Sequence, residues 1–162
     1  MWIENRQQFT LGEGINIKLR DSLPELTGAT AWLNSNSLYR QDLIGEKPLL
    51  IHFWSINCHL CKKSMPYVNE LRDTYRERLN IIAVYMPLSR QDTDIEEITR
   101  VAKAHNISQP VYIDNDLKLS DRFRTRYVPT YYIFDKNGDL RHFQTDGKIS
   151  TIRNRINRLI DK

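Results

Sequence analysis

The sequence predicts an α/β domain in which helices pack against a central mixed β-sheet. Three observations lead there. The apolar run Leu49 to Trp54 passes into a helical period whose apolar side chains fall at positions 60, 67, 68, 71 and 75. A second run, Ile81 to Met86, is unbroken, as expected of a strand buried inside a parallel sheet and not of one with a wet face. Lastly, two short apolar segments flank Asp135-Lys-Asn-Gly138, whose Asn-Gly pair is a strong hairpin signal. Strand–helix–strand units need parallel pairing and a hairpin needs antiparallel pairing, so the sheet is mixed.

In chain order, residues 1–16 show neither period nor turn chemistry. They are read as an N-terminal extension, unstructured or outside the fold, with the domain occupying 17–162. Pro24 and Gly28 mark a loop, and Ala31-Trp32-Leu33 with Asn34 to Leu38 suggests a short hairpin. Gly45-Glu-Lys-Pro48 launches the first buried strand, Leu49 to Trp54. The helix from Leu60 to about Arg78 contains Pro66, which removes one backbone hydrogen bond and should kink it. Thr93-Asp-Ile-Glu96 has the form of a capping box, followed by a helix lined by Ile95, Ile98 and Ala102. Val111 to Ile113 forms a strand and Leu117 to Phe123 a short helix. The hairpin segments are Tyr131 to Phe134 and Leu140 to Phe143. Ile149, Ile152, Ile156 and Leu159 close the chain as an amphipathic helix, with Arg153, Arg155 and Arg158 outward.

Composition limits the function. At 162 residues there is room for one domain, and 40% hydrophobic with 27% charged residues is an ordinary globular mix. No apolar stretch approaches 18 residues and the mean hydropathy is −0.57, so no membrane-spanning helix is expected. A net charge of +4, spread along the chain, gives no nucleic-acid footprint. The first ten residues are polar, without the apolar core of an export signal, so the protein is expected to be cytoplasmic. A stable disulfide is unusual in that compartment, whereas one formed and broken in turnover is not.

The chemistry falls where a strand becomes a helix, in His52-Phe-Trp54-Ser55-Ile56-Asn57-Cys58-His59-Leu60-Cys61. Cysteines at i and i+3 on a first helical turn can bring their sulfurs within bonding distance. Free amides and the helix dipole beside the first sulfur favour its thiolate, lowering a cysteine pKa from about 8.5 to roughly 3.5–7.5. Cys58 is then the exposed nucleophile, and Cys61, one turn in, the resolving thiol. Two other readings stand beside this one. A Cys-x-x-Cys metal carrier would use Cys58, Cys61 and His59, although no third cysteine exists and His105 and His142 are scattered. A thiol peroxidase with an antioxidant role would use Ser55 beside the Cys58 thiolate.

Phe-Trp-x-x-x-Cys-x-x-Cys-Lys, Pro66 and the later Val128-Pro129-Thr130 resemble the thioredoxin superfamily. From Ile17 onward the fuller match is to its TlpA/ResA-like branch, through Ile-Gly-Glu-Lys-Pro, Ile-His-Phe-Trp-Ser-Ile and Cys-His-Leu-Cys-Lys. The resemblance implies a thioredoxin-like fold, thiol–disulfide oxidoreductase activity through a redox-active Cys58–Cys61 disulfide, and no cofactor or metal. It also implies disulfide-containing protein substrates, an electron donor such as a thioredoxin-reductase system, and a monomer. Pro129 takes the family's cis-proline position facing the disulfide, and with Val128 it forms the expected substrate groove. Trp54 is read first as a packing wall near the thiols and second as a substrate contact in that groove.

Two positions depart from the pattern. Where thioredoxins carry a buried aspartate, six residues before the first cysteine, stands His52. Where the ResA branch carries a glutamate, three residues after the second cysteine, stands Ser64. His52 is accordingly read either as a hydrogen-bonded core residue or as the proton acceptor for Cys61. His59 is either a spacer or, as an imidazolium, a second influence on the Cys58 thiolate.

Overall fold

Apolar runs that must leave water decide where the strands lie. The structure, a computed structural model, describes residues 17–161. Its strands are β1 (Ala31–Leu33), β2 (Leu49–Trp54), β3 (Asn80–Tyr85), β4 (Val111–Ile113), β5 (Thr130–Phe134) and β6 (Leu140–Gln144). The helices are α1 (Arg40–Leu43), α2 (His59–Thr74), α3 (Ile95–Ala104), α4 (Lys118–Phe123) and α5 (Ile149–Ile160), with a 3₁₀ turn at Arg90–Thr93. The N-terminal extension expected at 1–16 lies outside the described residues.

The strands form one sheet in the order β1-β4-β3-β2-β5-β6. Pairing is parallel for β2 with β3 and β3 with β4, and antiparallel elsewhere, which is the mixed sheet the pattern required. Side chains alternate across β2. Leu50 and Trp54 join Met65, Val68 and Leu71 of α2, Ile98 of α3 and Ile152 of α5 on one face. Leu49, Ile51 and Phe53 meet Leu119 and Phe123 of α4 on the other. Each face thus has its own core, and β2, wholly buried between them, is the axis of the molecule.

Local chemistry sets the element ends. Gly138 adopts φ +84° in the β5–β6 turn, where a Cβ is costly, and Asp135 Oδ1 accepts the Asn137 and Asp139 amides at 3.0 and 3.1 Å. Helix α2 runs through Pro66 as a single element. Two sequence expectations are corrected. No hairpin forms at 31–38: β1 pairs instead with β4, because its apolar side chains need the sheet and α1 follows directly. The cap of α3 shifts by one residue. Asp94, not Thr93, accepts the Glu96 amide at 3.1 Å, while the Thr93 hydroxyl donates back to the Arg90 carbonyl within the 3₁₀ turn.

Helix α4 begins after Leu117 in the left-handed region, and the Leu117 side chain itself makes no capping hydrogen bond. The capping comes from Asp114, fully buried, which accepts the amides of Leu119 at 3.0 Å and Ser120 at 2.7 Å and the Ser120 hydroxyl at 2.6 Å. Asp114→Ala is expected to cost about 3 kcal/mol, because it orphans several buried donors at once. A shift in the denaturation midpoint measures this, and an unchanged midpoint would remove Asp114 from the fold's essential contacts.

Candidate active site

β2 ends at Trp54 in the centre of the sheet, and the chain leaves it through Ser55, Ile56 and Asn57. Cys58 is the N-cap of α2, in extended conformation, and its Sγ accepts the Cys61 amide N–H at 3.1 Å. Its carbonyl accepts the Lys62 amide at 3.2 Å. The sulfur therefore occupies the place where a serine or aspartate oxygen usually satisfies a free helix amide. Cys61 lies one turn inside, and the two are joined by a disulfide with Cα atoms 5.2 Å apart. On reduction the same amide and the positive end of the helix dipole face the Cys58 sulfur and favour its thiolate.

The expected exposure of Cys58 is corrected. Both cysteines are buried, Cys58 at 7% and Cys61 at 2%, because the Cys58 sulfur turns toward its own helix turn. Cys58 remains the more open of the pair. The accessible surface beside it belongs to His59 and to Leu60, 59% exposed within the Cys-x-x-Cys loop. Asn57, just before Cys58, donates to Asp92 Oδ1 at 2.6 Å and so ties the loop to the 3₁₀ turn.

The Val128–Pro129 peptide bond is cis, and Thr130 beyond it pairs with Phe53 at the end of β2. Val128 packs on the cluster that holds both cysteines, and Tyr127 beside it is 61% exposed. Trp54 is the packing wall expected near the thiols, and its second expected role, substrate contact in the groove, is corrected. It is 1% exposed with its ring edge-on to Tyr85, centroids 5.1 Å apart, and so is a wall of the core below the dithiol. The alternation of β2 turns it inward with Leu50.

His52 sits on the same inner side of β2, 2% exposed. Gln109 Nε2 lies 2.9 Å from His52 Nε2, and Gln109 Oε1 accepts from Arg72 Nη1 at 2.9 Å. The guanidinium thereby fixes which way the amide points, so the amide N–H donates to the ring and takes its Nε2 lone pair. Burial first, and the Arg72 charge second, lower the His52 pKa from 6.5 to about 3. This is the environment of a hydrogen-bonded core histidine, held neutral. Gln109 and Arg72 escaped the sequence reading, since separations of 57 and 37 residues leave no local signal. Among the described residues, no group of three or more His, Cys, Asp or Glu is placed to hold a metal ion.

Comparison with known proteins places the site in a family context. The Thioredoxin-like family matches residues 45–140. The thiol-disulfide oxidoreductase YkuV of Bacillus subtilis (strain 168) is 53% identical over 145 residues, which is 89% of this chain and 97% of YkuV. The thiol-disulfide oxidoreductase ResA of Bacillus cereus (strain ZK / E33L) is 33% identical over 107 residues, 65% of this chain and 58% of ResA. A solution structure of a thioredoxin-like protein in the oxidized form matches with a TM-score of 0.82 at 52% identity, covering 90% of this chain and 98% of that one.

Proposed function

The chain belongs to the thioredoxin-like family and is a thiol–disulfide oxidoreductase, and from that premise we propose that it works as a reductase of protein disulfides in the cytoplasm. One observation carries the assignment of roles: the Cys61 amide donates to Cys58 Sγ at the start of α2. The Cys58 thiolate attacks a substrate disulfide, one substrate thiol leaves, and the other half stays bonded to Cys58. Cys61 then loses its proton and attacks Cys58 Sγ, the second substrate thiol leaves, and Cys58–Cys61 is oxidised. Two electrons have passed to the substrate. An external dithiol, such as a thioredoxin-reductase system, returns them.

Substrate approaches over the exposed Leu60 and Tyr127 and the half-buried Val128, while the cis Pro129 itself is buried. The protein acts as a monomer, with neither nucleic acid nor membrane as a partner. An antioxidant role follows through repair of disulfides that oxidants form in cytoplasmic proteins. Direction rests on potential, about tenfold in equilibrium per 30 mV. Equilibration of the dithiol against glutathione buffers tests it: a reductase requires a value below the cytosolic poise of about −220 to −260 mV, and one near −120 mV would make the protein an oxidant.

Assignment of the nucleophile is tested separately. Limiting iodoacetamide on the reduced protein is expected to label Cys58 well before Cys61, since thiolate fraction and access both favour it. Equal labelling, or Cys61 first, would reverse the roles.

A further inference from the structure

No carboxylate occupies either family position around Cys61, yet the polar atoms there are organised. Ser64 follows Cys61 by three residues on α2, which puts it on the same helix face one turn away, and both residues are buried. The Ser64 hydroxyl faces that of Tyr131 on β5 and partly offsets the rise that burial gives the Tyr131 pKa. Tyr131 lies opposite His52 in the β2–β5 register and stacks on its ring, centroids 6.4 Å apart. From the other side Gly147, just before α5, closes on this hydroxyl so tightly that a Cβ there would fall 2.5 Å from Ser64 Oγ. A glycine at 147 is therefore what makes room for an oxygen at 64.

We propose that Ser64, backed by Tyr131, is a positioning residue that donates a hydrogen bond to the Cys61 thiolate as it resolves the mixed disulfide. The inference rests on the Cys58-first reading above. Serine and tyrosine hydroxyls are both donor and acceptor and rotate to suit. While Cys61 is disulfide-bonded or protonated, Ser64 pairs with Tyr131. When Cys61 gives its proton to solvent, the Ser64 O–H turns to the sulfur and the Tyr131 O–H donates to Ser64 Oγ, each bond strengthening the other. The thiolate then attacks Cys58 Sγ, the Cys58–substrate bond breaks, and the substrate sulfur leaves with the electron pair and takes a proton from solvent. A carboxylate at 64 would oppose the thiolate by like charge, whereas a neutral donor favours it.

Other titratable groups around this face are His52 on β2, Tyr85 on β3, Tyr131 on β5, Asp146 beside Gly147 and Lys62 on α2. His52 has its Nε2 lone pair engaged by Gln109 and stays neutral, and burial raises Tyr85 and Tyr131 to about 12, so none of these three changes charge near neutral pH.

The test is stopped-flow reaction of the reduced, full-length protein with dithiobis(nitrobenzoate). The first thionitrobenzoate released reports attack by Cys58, and the second reports resolution by Cys61. Ser64→Ala is expected to slow the second phase about tenfold at neutral pH and raise its pH midpoint by about one unit, the effect of one hydrogen bond to a charged group, with the first phase unchanged. Tyr131→Phe should slow the second phase in the same direction, by less. A second phase in Ser64→Ala with the wild-type rate and midpoint would overturn the proposal, as would equal slowing of both phases. A wild-type protein that releases only one thionitrobenzoate would instead defeat the Cys58-first reading itself.

Discussion

Cys61→Ser is expected to stop disulfide reduction at the first half-reaction. Cys58 keeps its place at the N-cap of α2, and the backbone amide of residue 61, the donor to its sulfur, survives the substitution. Attack on a substrate disulfide therefore proceeds, and the mixed disulfide accumulates because the internal thiol that displaces the product is gone. Turnover of insulin with an external dithiol should fall to the uncatalysed background. In cells the variant should retain proteins covalently through Cys58, released by reductant, and these identify the substrates. Cys58→Ser should be equally inactive but retain none, since the buried Cys61 does not reach a substrate. Retention by both variants would show that Cys61 also attacks from outside, and by neither that the trapped species resolves by another route. If Cys61→Ser kept appreciable turnover, the dithiol cycle would not be the mechanism.

What was legible in the sequence and what was not follow a physical divide. The parallel core was visible because Leu49 to Trp54 and Ile81 to Met86 are continuous apolar runs, and such runs have few ways to be buried. The Asn137-Gly138 turn was visible because its backbone chemistry is local. Cys58 and Cys61 were visible for the same reason, since their partnership is settled within one helical turn. The pairing of β1 with β4 was not, because a three-residue strand takes its partner from the tertiary fold and not from its own pattern. Likewise the alternation that carries Trp54 into the core depends on which face of β2 the helices α2 and α5 cover. The groups that meet His52, Gln109 and through it Arg72, come from far along the chain. A buried polar residue advertises that it has partners, but not which ones.

That network makes His52 the source of a second large effect, on acid stability. In the folded chain the ring stays neutral down to about pH 3, held there by burial and by the Arg72 charge beyond Gln109. In the unfolded chain it protonates near 6.5. The unfolded state thus binds the extra proton between those values, so the contribution of His52 is complete above pH 6.5 and is lost as pH falls. The slope approaches ~1.4 kcal/mol per pH unit and the loss approaches ~5 kcal/mol near pH 3, a large share of a typical folding free energy. Denaturant midpoints measured against pH on oxidised wild type and on His52→Asn isolate this effect, because the carboxylates titrate in both. The variant should be less stable at pH 7, having lost the ring and part of its bond to Gln109. Its deficit should shrink as the pH is lowered through the window, since asparagine takes up no proton. Resolution of the mixed disulfide should keep its wild-type rate, because a ring whose Nε2 already accepts from Gln109 is not the base for Cys61. A deficit independent of pH between 6.5 and about 4 would mean that the folded protein protonates this ring as readily as the unfolded chain does. In that case a slowed second thionitrobenzoate release in the same variant would return His52 to the reaction as its proton acceptor.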